Sequence, residues 1–337
     1  TTGDDEGSWK RQMIRYSKVF SAIGLEHLLD NWQVLHQDEF IRDIYNCNID
    51  TSKIDEVLKK KNVFLWLCSN PFDNSFLETL QSKTKHYGDR VKIVSGNLDN
   101  LNDSSDILYF PYFYTTQLSE NDYQRNKGKK FRIGYLSYVA RIHRLLLARE
   151  ILPYIDEQND VISIDLGNID NNKYFLKQDC SDHNIDYASI TTQFPYKTKN
   201  STQTQSFYQS DSNDHTNSHN AYACFFNITG ESSHEDHGFI SEKTWKSLRS
   251  QCMTINYGSD KTVSRLQQLG FIINEKYDPD LGWKQKSQWI ADFLCDNNLE
   301  DCEKIYNDNF ANICYNKEYM YSDTLKQKFR KFFLWKI

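Results

Sequence analysis

Residues 221–258 contain the feature that most limits how this chain can fold. Two short apolar runs, at 222–228 and 252–257, are separated by a polar loop and by a segment at 242–250 with helical spacing. Apolar runs of this length predict buried strands, and a helix between two such strands joins them in parallel order. The segment therefore predicts an α/β fold with a parallel sheet. Sheets of this kind bind ligands at the carboxyl ends of their strands.

The same alternation of strands and helices extends along most of the chain. Further strands are predicted at 63–68, 91–94, 106–110, 131–137, 161–164 and 271–274, and further helices at 8–45, 74–86, 145–151, 261–269, 284–295, 299–313 and 319–335. Residues 168–220 are rich in Asn, Ser, Thr and Gln, and we interpret them as a long loop. Its last part, 199–220, is either a candidate lid that orders over a bound substrate or a solvent-exposed insertion with no role.

Length and composition set the outer limits. A chain of 337 residues with 39% hydrophobic residues can form two domains of ordinary size, each with its own core. It has no run of 18 or more apolar residues, so no membrane span is predicted. The eight cysteines show no CxxC pair and no zinc spacing, which favours free thiols. We expect a cytoplasmic setting, which for a viral protein is the cytoplasm of the host.

The polar loop and the helix after it carry side chains that bind anions or hydroxyl groups. These are Glu231, Glu235, His237, Ser241, Glu242 and Lys243. The first turn of a helix presents free N–H groups and a partial positive charge, which attract an anion, and Lys243 adds a full charge there. Many helices, however, begin with polar residues only because these cap and solvate the helix start. Spacing alone leaves both interpretations open.

A second group of basic residues follows the predicted strand at 131–137. Arg141, His143 and Arg144 precede the apolar helix at 145–151. Arginine binds phosphate oxygens through two parallel hydrogen bonds. Because the helix dipole opposes positive charge at this end, three basic residues here indicate a bound anion that compensates them. The alternative is a solvated basic helix start.

Together these segments resemble the donor-binding part of the alpha-1,3-fucosyltransferases. In that family a Glu-Ser or Glu-Asn pair precedes a Thr-Glu-Lys helix start and a strand that ends before Gly; here the matching residues are Glu231-Ser232, Ser241-Glu242-Lys243 and Gly258. The run Ser-Glu-Lys-Thr-Trp-Lys at 241–246 is also similar to phage and marine-bacterial proteins with a Glu-Lys-Thr-Trp/Phe-Lys-Pro signature, although Ser247 replaces the Pro. The resemblance covers residues 105–295.

The resemblance implies a GT-B-like fold, in which two Rossmann-like domains face each other across a cleft. We expect an acceptor-side domain at 1–127, a nucleotide-sugar-binding domain at 128–316, and a C-terminal helix at 317–337 that packs back on the first domain. The implied activity is that of an inverting glycosyltransferase. It would move a sugar from a nucleotide diphosphate sugar to a hydroxyl group of a glycan, a small molecule or a protein.

The resemblance also implies roles for individual residues. The donor would be bound by Arg141, His143, Arg144, Ser241, Glu242 and Lys243. Arg144 and Lys243 are expected to hold its diphosphate. Glu231 and His237 are the candidate catalytic residues, and Asp73 and Glu235 remain further candidates for the general base. Glu231 has an alternative role in binding the sugar.

No metal ion and no cofactor besides the donor substrate are expected. Asp278-Pro279-Asp280 is formally the DxD motif of another glycosyltransferase architecture, but it falls in a predicted turn. Arg141, Arg144 and Lys243 could instead neutralise the departing diphosphate.

Two other functions remain open. One is the same chemistry on modified bases of duplex DNA, and the other is non-catalytic binding of a sugar nucleotide or a glycan. The net charge of −6 disfavours duplex DNA, because DNA-binding proteins usually present a basic face. The sequence has no GxGxxG, GxxxxGK[ST], HExxH or GxSxG motif, so dinucleotide, P-loop, zinc-protease and hydrolase functions lack support.

Overall fold

The computed structural model describes residues 16–43, 48–67, 74–96, 107–111, 114–115, 118, 128–137, 141–164, 169–191, 194–201, 220–231, 240–259, 261–335 and 337. These residues form parallel sheets connected by helices, which confirms the predicted α/β class. The chain divides into two compact units. Unit 1 comprises Thr1–Asn121, His237–Glu242 and Tyr321–Ile337, and unit 2 comprises Asp122–Asp236 and Lys243–Met320. None of the described helices is both long enough and apolar enough to cross a membrane.

In chain order, the strands are Trp32–His36 (β1), Ile41–Asp43 (β2), Asn48–Ile49 (β3), Asn62–Leu67 (β4), Val91–Ser95 (β5), Leu108–Tyr109 (β6), Phe131–Ser137 (β7), Val161–Ile164 (β8), Tyr196–Lys197 (β9), Cys224–Gly230 (β10) and Met253–Tyr257 (β11). The helices are Gln37–Phe40 (α1), Ser52–Leu58 (α2), Asn74–Thr84 (α3), Ile142–Ile151 (α4), Ile169–Asp182 (α5), Tyr187–Thr191 (α6), Glu242–Arg249 (α7), Thr262–Leu269 (α8), Trp283–Asp296 (α9), Leu299–Asp308 (α10), Phe310–Tyr321 (α11) and Asp323–Trp335 (α12).

Unit 1 is built on a four-stranded parallel sheet in the order β1–β4–β5–β6. Leu65 on the central strand β4 lies beside Leu35 of β1 and Ile93 of β5. These three side chains form one core with Phe76 and Leu80 of α3. Burial of such aliphatic and aromatic side chains contributes about 1.5–3 kcal/mol each. One face of the sheet is thereby covered.

The C-terminal helix α12 belongs to unit 1. The Phe333 ring lies 5.9, 5.6 and 5.4 Å from the rings of Phe20, Phe64 and Phe110. The Arg330 Nε atom donates to the carbonyl oxygen of Ile23 at 2.8 Å. Aromatic pairs at these separations add to the free energy gained by burial. Helix α12 thus supplies core aromatic contacts to the unit that begins the chain.

We predict that Phe333→Ala destabilises unit 1 by about 3–5 kcal/mol, because Phe333 is fully buried and its removal leaves a cavity. The matched control is Leu334→Ala, since the neighbouring Leu334 is 41% exposed and should change the free energy of unfolding by less than about 0.5 kcal/mol. Urea denaturation measures both. Equal losses in the two variants would contradict the packing described for α12.

Unit 2 contains a five-stranded sheet in the order β11–β10–β7–β8–β9. Neighbouring strands are parallel except for β8 and β9, which are antiparallel. The chain runs from β7 to β8 and β9, and then returns to β10 on the other side of β7. The direction of strand order therefore reverses between β7 and β10. In open α/β sheets a ligand binds outside the carboxyl ends of the strands at such a switch point.

Arg132 on β7 ties the unit 2 sheet to α9. Its Nε and Nη2 atoms donate to the two carboxylate oxygens of Asp160 at 2.9 and 2.6 Å. Its Nη1 atom donates to the carbonyl oxygens of Leu294 and Asn297, each at 3.0 Å. Burial opposes the charge on the guanidinium, but the bonds to Asp160 outweigh it and raise the pKa of Arg132. Buried charges are tolerated only when they are paired and hydrogen-bonded as fully as this.

The helix predicted over 8–45 is wrong in its second half. Residues 16–21 are helical, but Trp32–His36 is strand β1. Val34 and Leu35 are buried there, and the main chain of β1 pairs with β4. Pairing with a neighbouring strand is a tertiary interaction that overrides local spacing.

The long loop predicted over 168–220 is also wrong for its first part, which forms α5, α6 and β9. On α5, Leu176 and Cys180 are buried in a cluster with Ile142 and Leu145 of α4. Two apolar residues four positions apart lie on the same face of a helix, so few are needed to dock it. Residues 202–219, most of the candidate lid, lie outside the described residues.

The strand predicted at 271–274 does not form. Instead, the N–H of Ile272 donates to Asn316 Oδ1, and Asn316 Nδ2 donates to the carbonyl oxygen of Ile272, both at 2.8 Å. One side-chain amide thus satisfies both main-chain groups, as a neighbouring strand would. The helix predicted at 299–313 is interrupted at Asn309 and becomes α10 and α11.

Candidate functional site

Both basic motifs of the sequence lie at the switch point of unit 2. Helix α4 follows β7, with Arg141 at its N-cap and His143 and Arg144 in its first turn. Helix α7 follows β10, with Lys243 in its first turn. Because β7 and β10 are adjacent and parallel, the two helix N-termini lie at the same edge of the sheet. Glu231 is the first residue after β10.

Arg144 holds the carboxyl end of β10. Its Nε and Nη2 atoms donate to the carbonyl oxygen of Glu231 at 3.1 and 2.7 Å, and Nη2 also donates to the carbonyl oxygen of Gly230 at 3.0 Å. The Nε2 atom of His143 lies 3.1 Å from the same Glu231 oxygen. Both side chains are buried. Arg144 therefore uses its Nε and Nη2 atoms to hold the main chain of Gly230 and Glu231 in place.

Gly230 makes this close approach possible. A Cβ atom at this position would lie 3.3 Å from Tyr135 Cε2 and 3.6 Å from Arg144 Nε. A larger residue would press on the Tyr135 ring, which is fully buried. Burial raises the pKa of Tyr135 to about 12, while the positive charge of Arg144 acts in the opposite direction. Tyr135 is therefore a neutral wall of the site at physiological pH.

Glu231 connects the two helix N-termini. Its carbonyl oxygen binds α4 through Arg144, and its Oε1 atom accepts a hydrogen bond from Thr244 Oγ1 of α7 at 2.6 Å. Its N–H donates to the carbonyl oxygen of Tyr257 at the end of β11 at 2.8 Å. Glu231 is only 1% exposed. Its carboxylate thus faces Thr244 and not solvent, which favours a positioning role over direct proton abstraction from an acceptor.

A buried polar network continues from Thr244 to α9. Thr244 Oγ1 lies 3.0 Å from Asn256 Oδ1 and 3.1 Å from Thr229 Oγ1. Asn256 donates to Asp278 through its N–H at 3.0 Å and through Nδ2 at 2.6 Å. The Nζ atom of Lys286 donates to Asp278 Oδ1 at 2.6 Å. Thr229, Asn256, Asp278 and Lys286 are all buried, so this network is sensitive to the loss of any partner.

Asp278, the first residue of the Asp278-Pro279-Asp280 motif, belongs to this network. Burial raises the pKa of Asp278, and the ammonium group of Lys286 and the bonds from Asn256 act in the opposite direction. Asp280 accepts a hydrogen bond from the N–H of Ser264 at 3.1 Å. Both carboxylates therefore bind protein groups. Within the ranges that the structure describes, no three His, Cys, Asp or Glu side chains are grouped so that they could hold a metal ion.

We predict that Lys286→Met destabilises the protein by about 3–5 kcal/mol near pH 7, because it leaves the Asp278 carboxylate buried without its cation. The control is Lys284→Met, which removes an exposed lysine from the same helix. Urea denaturation gives both free energies of unfolding. A loss no larger than that of the control would contradict the pairing.

The loss in Lys286→Met should shrink as the pH falls. Burial already raises the pKa of Asp278 above its ordinary value of 3.8, and removal of Lys286 raises it further. A carboxyl group with a raised pKa in the folded state contributes stability that is present below its unfolded pKa and is lost as the pH rises through its folded pKa. Denaturation as the pH falls from 7 toward 3.8, the ordinary pKa of an aspartate, should therefore show the gap to wild type narrowing. A gap that stays constant would contradict protonation of Asp278.

The other predicted site residues are distributed as follows. Arg141 is exposed and Lys243 is half-buried. Ser241 is buried and Glu242 half-buried, and both are grouped with unit 1. His237, Glu235 and Asp73 lie outside the described residues.

Four buried residues of the polar network were not predicted from the sequence, namely Thr229, Thr244, Asn256 and Lys286. A signal was present for two of them. Asn256 is a polar residue within the apolar run 252–257, Thr229 directly follows the run 222–228, and a buried polar side chain needs a hydrogen-bonding partner. Lys286 gave no such signal, because a lysine in an amphipathic helix is ordinarily solvated.

No protein-family model, curated protein or solved structure matches this chain. The resemblance to the fucosyltransferases therefore depends on the quoted motifs, and the assignment of a site depends on the geometry at the switch point.

Proposed function

We propose that this chain is a glycosyltransferase that binds a nucleotide diphosphate sugar at the switch point of unit 2. One observation supports this above all. Glu231 binds the first turn of α4 through its carbonyl oxygen and the first turn of α7 through its carboxylate. Two helix N-termini with basic residues thus meet at the edge of the sheet where α/β proteins bind their ligands.

The two most accessible cations of this region would bind the diphosphate. Arg141 is exposed at the N-cap of α4, and Lys243 is half-buried in the first turn of α7. As the glycosidic bond breaks, negative charge builds up on the departing diphosphate. Fixed positive groups and helix N–H groups stabilise that charge more in the transition state than in the ground state. Arg144 and His143 would keep the end of β10 in place beneath the donor.

On this proposal, units 1 and 2 correspond to the acceptor and donor domains of a GT-B-like, fucosyltransferase-like enzyme. The acceptor is a hydroxyl group of a glycan, a small molecule or a protein. An inverting reaction needs a general base, and His237, Glu235 and Asp73 remain its candidates, because Glu231 is buried against Thr244. Ser241 and Glu242 remain proposed donor-binding residues by their match to the motif.

We predict that Lys243→Ala and Arg141→Ala each weaken binding of a nucleoside diphosphate by about 10- to 100-fold, because each removes a charge-assisted hydrogen bond. Lys246→Ala, one turn further along α7, is the control and should bind as wild type does. Calorimetric titration with GDP, UDP, ADP, CDP and dTDP provides the measurement. If both variants bind the preferred nucleotide as tightly as wild type, the proposed diphosphate position is wrong.

The same panel tests the function as a whole. A nucleotide that binds only the folded state raises the melting temperature, by an amount that grows with the logarithm of its concentration divided by its Kd. Release of the nucleotide from a donor sugar would separate an enzyme from a non-catalytic binding module. A salt-sensitive shift of duplex DNA would instead favour a DNA-modifying enzyme. No stabilisation by any nucleotide or nucleotide sugar would overturn the proposal.

We also predict that transfer does not require a metal ion, because cationic side chains and helix N-termini can neutralise the diphosphate. Activity should persist after dialysis against EDTA. The control is a metal-dependent glycosyltransferase treated in parallel. Activity that EDTA abolishes and Mn²⁺ or Mg²⁺ restores would contradict this prediction.

A further inference from the structure

The hydroxyl group of Thr244 lies within hydrogen-bonding distance of three oxygen atoms. These are Glu231 Oε1 at 2.6 Å, Asn256 Oδ1 at 3.0 Å and Thr229 Oγ1 at 3.1 Å. A hydroxyl group has one hydrogen atom, so it can donate fully to only one of them. The identity of that acceptor determines which residue Thr244 holds.

The hydrogen bonds of Asn256 and Thr229 help to show which oxygen atom accepts the Thr244 hydrogen. The Nδ2 atom of Asn256 donates to Asp278, so its Oδ1 atom faces the threonines as an acceptor. Thr229 Oγ1 lies 3.3 Å from that Oδ1 and can donate to it. Of the three oxygen atoms, Glu231 Oε1 lies nearest to Thr244 Oγ1, at 2.6 Å, which is a short separation for an O–H···O hydrogen bond. We therefore assign the Thr244 hydrogen to Glu231 Oε1, while Thr229 can donate to Asn256 Oδ1.

We propose that Thr244 is a positioning residue for the donor site, an inference that rests on the proposed function. Its hydroxyl group holds the Glu231 carboxylate against the first turn of α7. The carbonyl oxygen of Glu231 is in turn held by Arg144 of α4. The spacing between the N-termini of α4 and α7, and so between Arg141 and Lys243, is set by this chain of contacts.

The hydrogen bond between Thr244 and Glu231 joins residues that are far apart in the sequence. Glu231 and Thr244 are 13 residues apart in sequence, yet their side chains are 2.6 Å apart. Thr244 and Glu231 are both buried, so neither gains a water molecule in place of the lost bond without rearrangement. Loss of the hydroxyl group should therefore move the first turn of α7 relative to β10. This movement should weaken the binding of a nucleoside diphosphate.

Three variants separate positioning from ordinary stabilisation. Thr244→Val keeps the shape of the side chain and removes the hydroxyl group, whereas Thr244→Ser keeps the hydroxyl group. The matched control is Ser247→Ala, because Ser247 lies one turn later in α7, is buried, and has a hydroxyl bond to Thr254 Oγ1 of 2.8 Å. This control removes a buried hydroxyl from the same helix without touching Glu231.

Each variant is denatured with urea and titrated with GDP, UDP, ADP, CDP and dTDP. We expect Thr244→Val to raise the Kd of the preferred nucleotide by about tenfold, a loss typical of leaving one buried polar group without its hydrogen-bond partner. Thr244→Ser should restore near-wild-type binding. Ser247→Ala should lose comparable stability and keep its Kd.

The outcomes separate this inference from the proposed function. If wild type binds a nucleotide and Thr244→Val binds it as Ser247→Ala does, Thr244 is only a stabilising residue and the inference is wrong. If Thr244→Ser fails to restore binding, the hydroxyl group is not the cause and the inference is also wrong. If wild type binds none of the nucleotides, the proposed function fails and this inference fails with it.

Discussion

The arrangement of unit 2 around its switch point depends on how one residue, Glu231, uses all of its polar groups. Its N–H binds the end of β11, its carbonyl oxygen binds Arg144 of α4, and its carboxylate binds Thr244 of α7. Three elements that are distant in sequence therefore converge on a single position after β10. Buried polar groups must be satisfied, so this convergence is also a requirement of folding. The same contacts define the shape of the candidate site.

Apolar burial and polar pairing have different roles in this unit. The core beneath the sheet, with residues such as Ile133, Ile228 and Ile255, contributes most of the driving force for folding but little directionality. The ion pairs Arg132–Asp160 and Lys286–Asp278 instead restrict how the elements pack, because a buried ion pair tolerates few alternative arrangements. Arg132 also binds carbonyl groups at the end of α9, and Lys286 lies on α9 and binds Asp278, which binds Asn256 of β11. Both pairs therefore help to hold α9 against the sheet.

Much of the fold could be predicted because buried parallel strands are continuous apolar runs. The strands β4, β5, β7, β8, β10 and β11 were all recognisable for this reason. The strand β1 was not, because its sequence Trp-Gln-Val-Leu-His contains only two adjacent apolar residues between polar ones and therefore no continuous apolar run. In the site, the basic motifs could be located from their positions after predicted strands. The partners of Arg144 could not, because they are main-chain carbonyl groups, and no side-chain pattern reveals which carbonyl an arginine will bind.

Because α12 belongs to unit 1, it affects the order in which the two units fold during synthesis. During synthesis the N-terminal part of a chain generally folds first, as a unit. Here the sheet of unit 1 leaves the ribosome long before Phe329 and Phe333, whose rings contact Tyr109, Tyr114 and Phe110. The aromatic surface that α12 covers stays open while all of unit 2 is translated. Unit 2 can complete its core first, so the unit begun first is the one finished last.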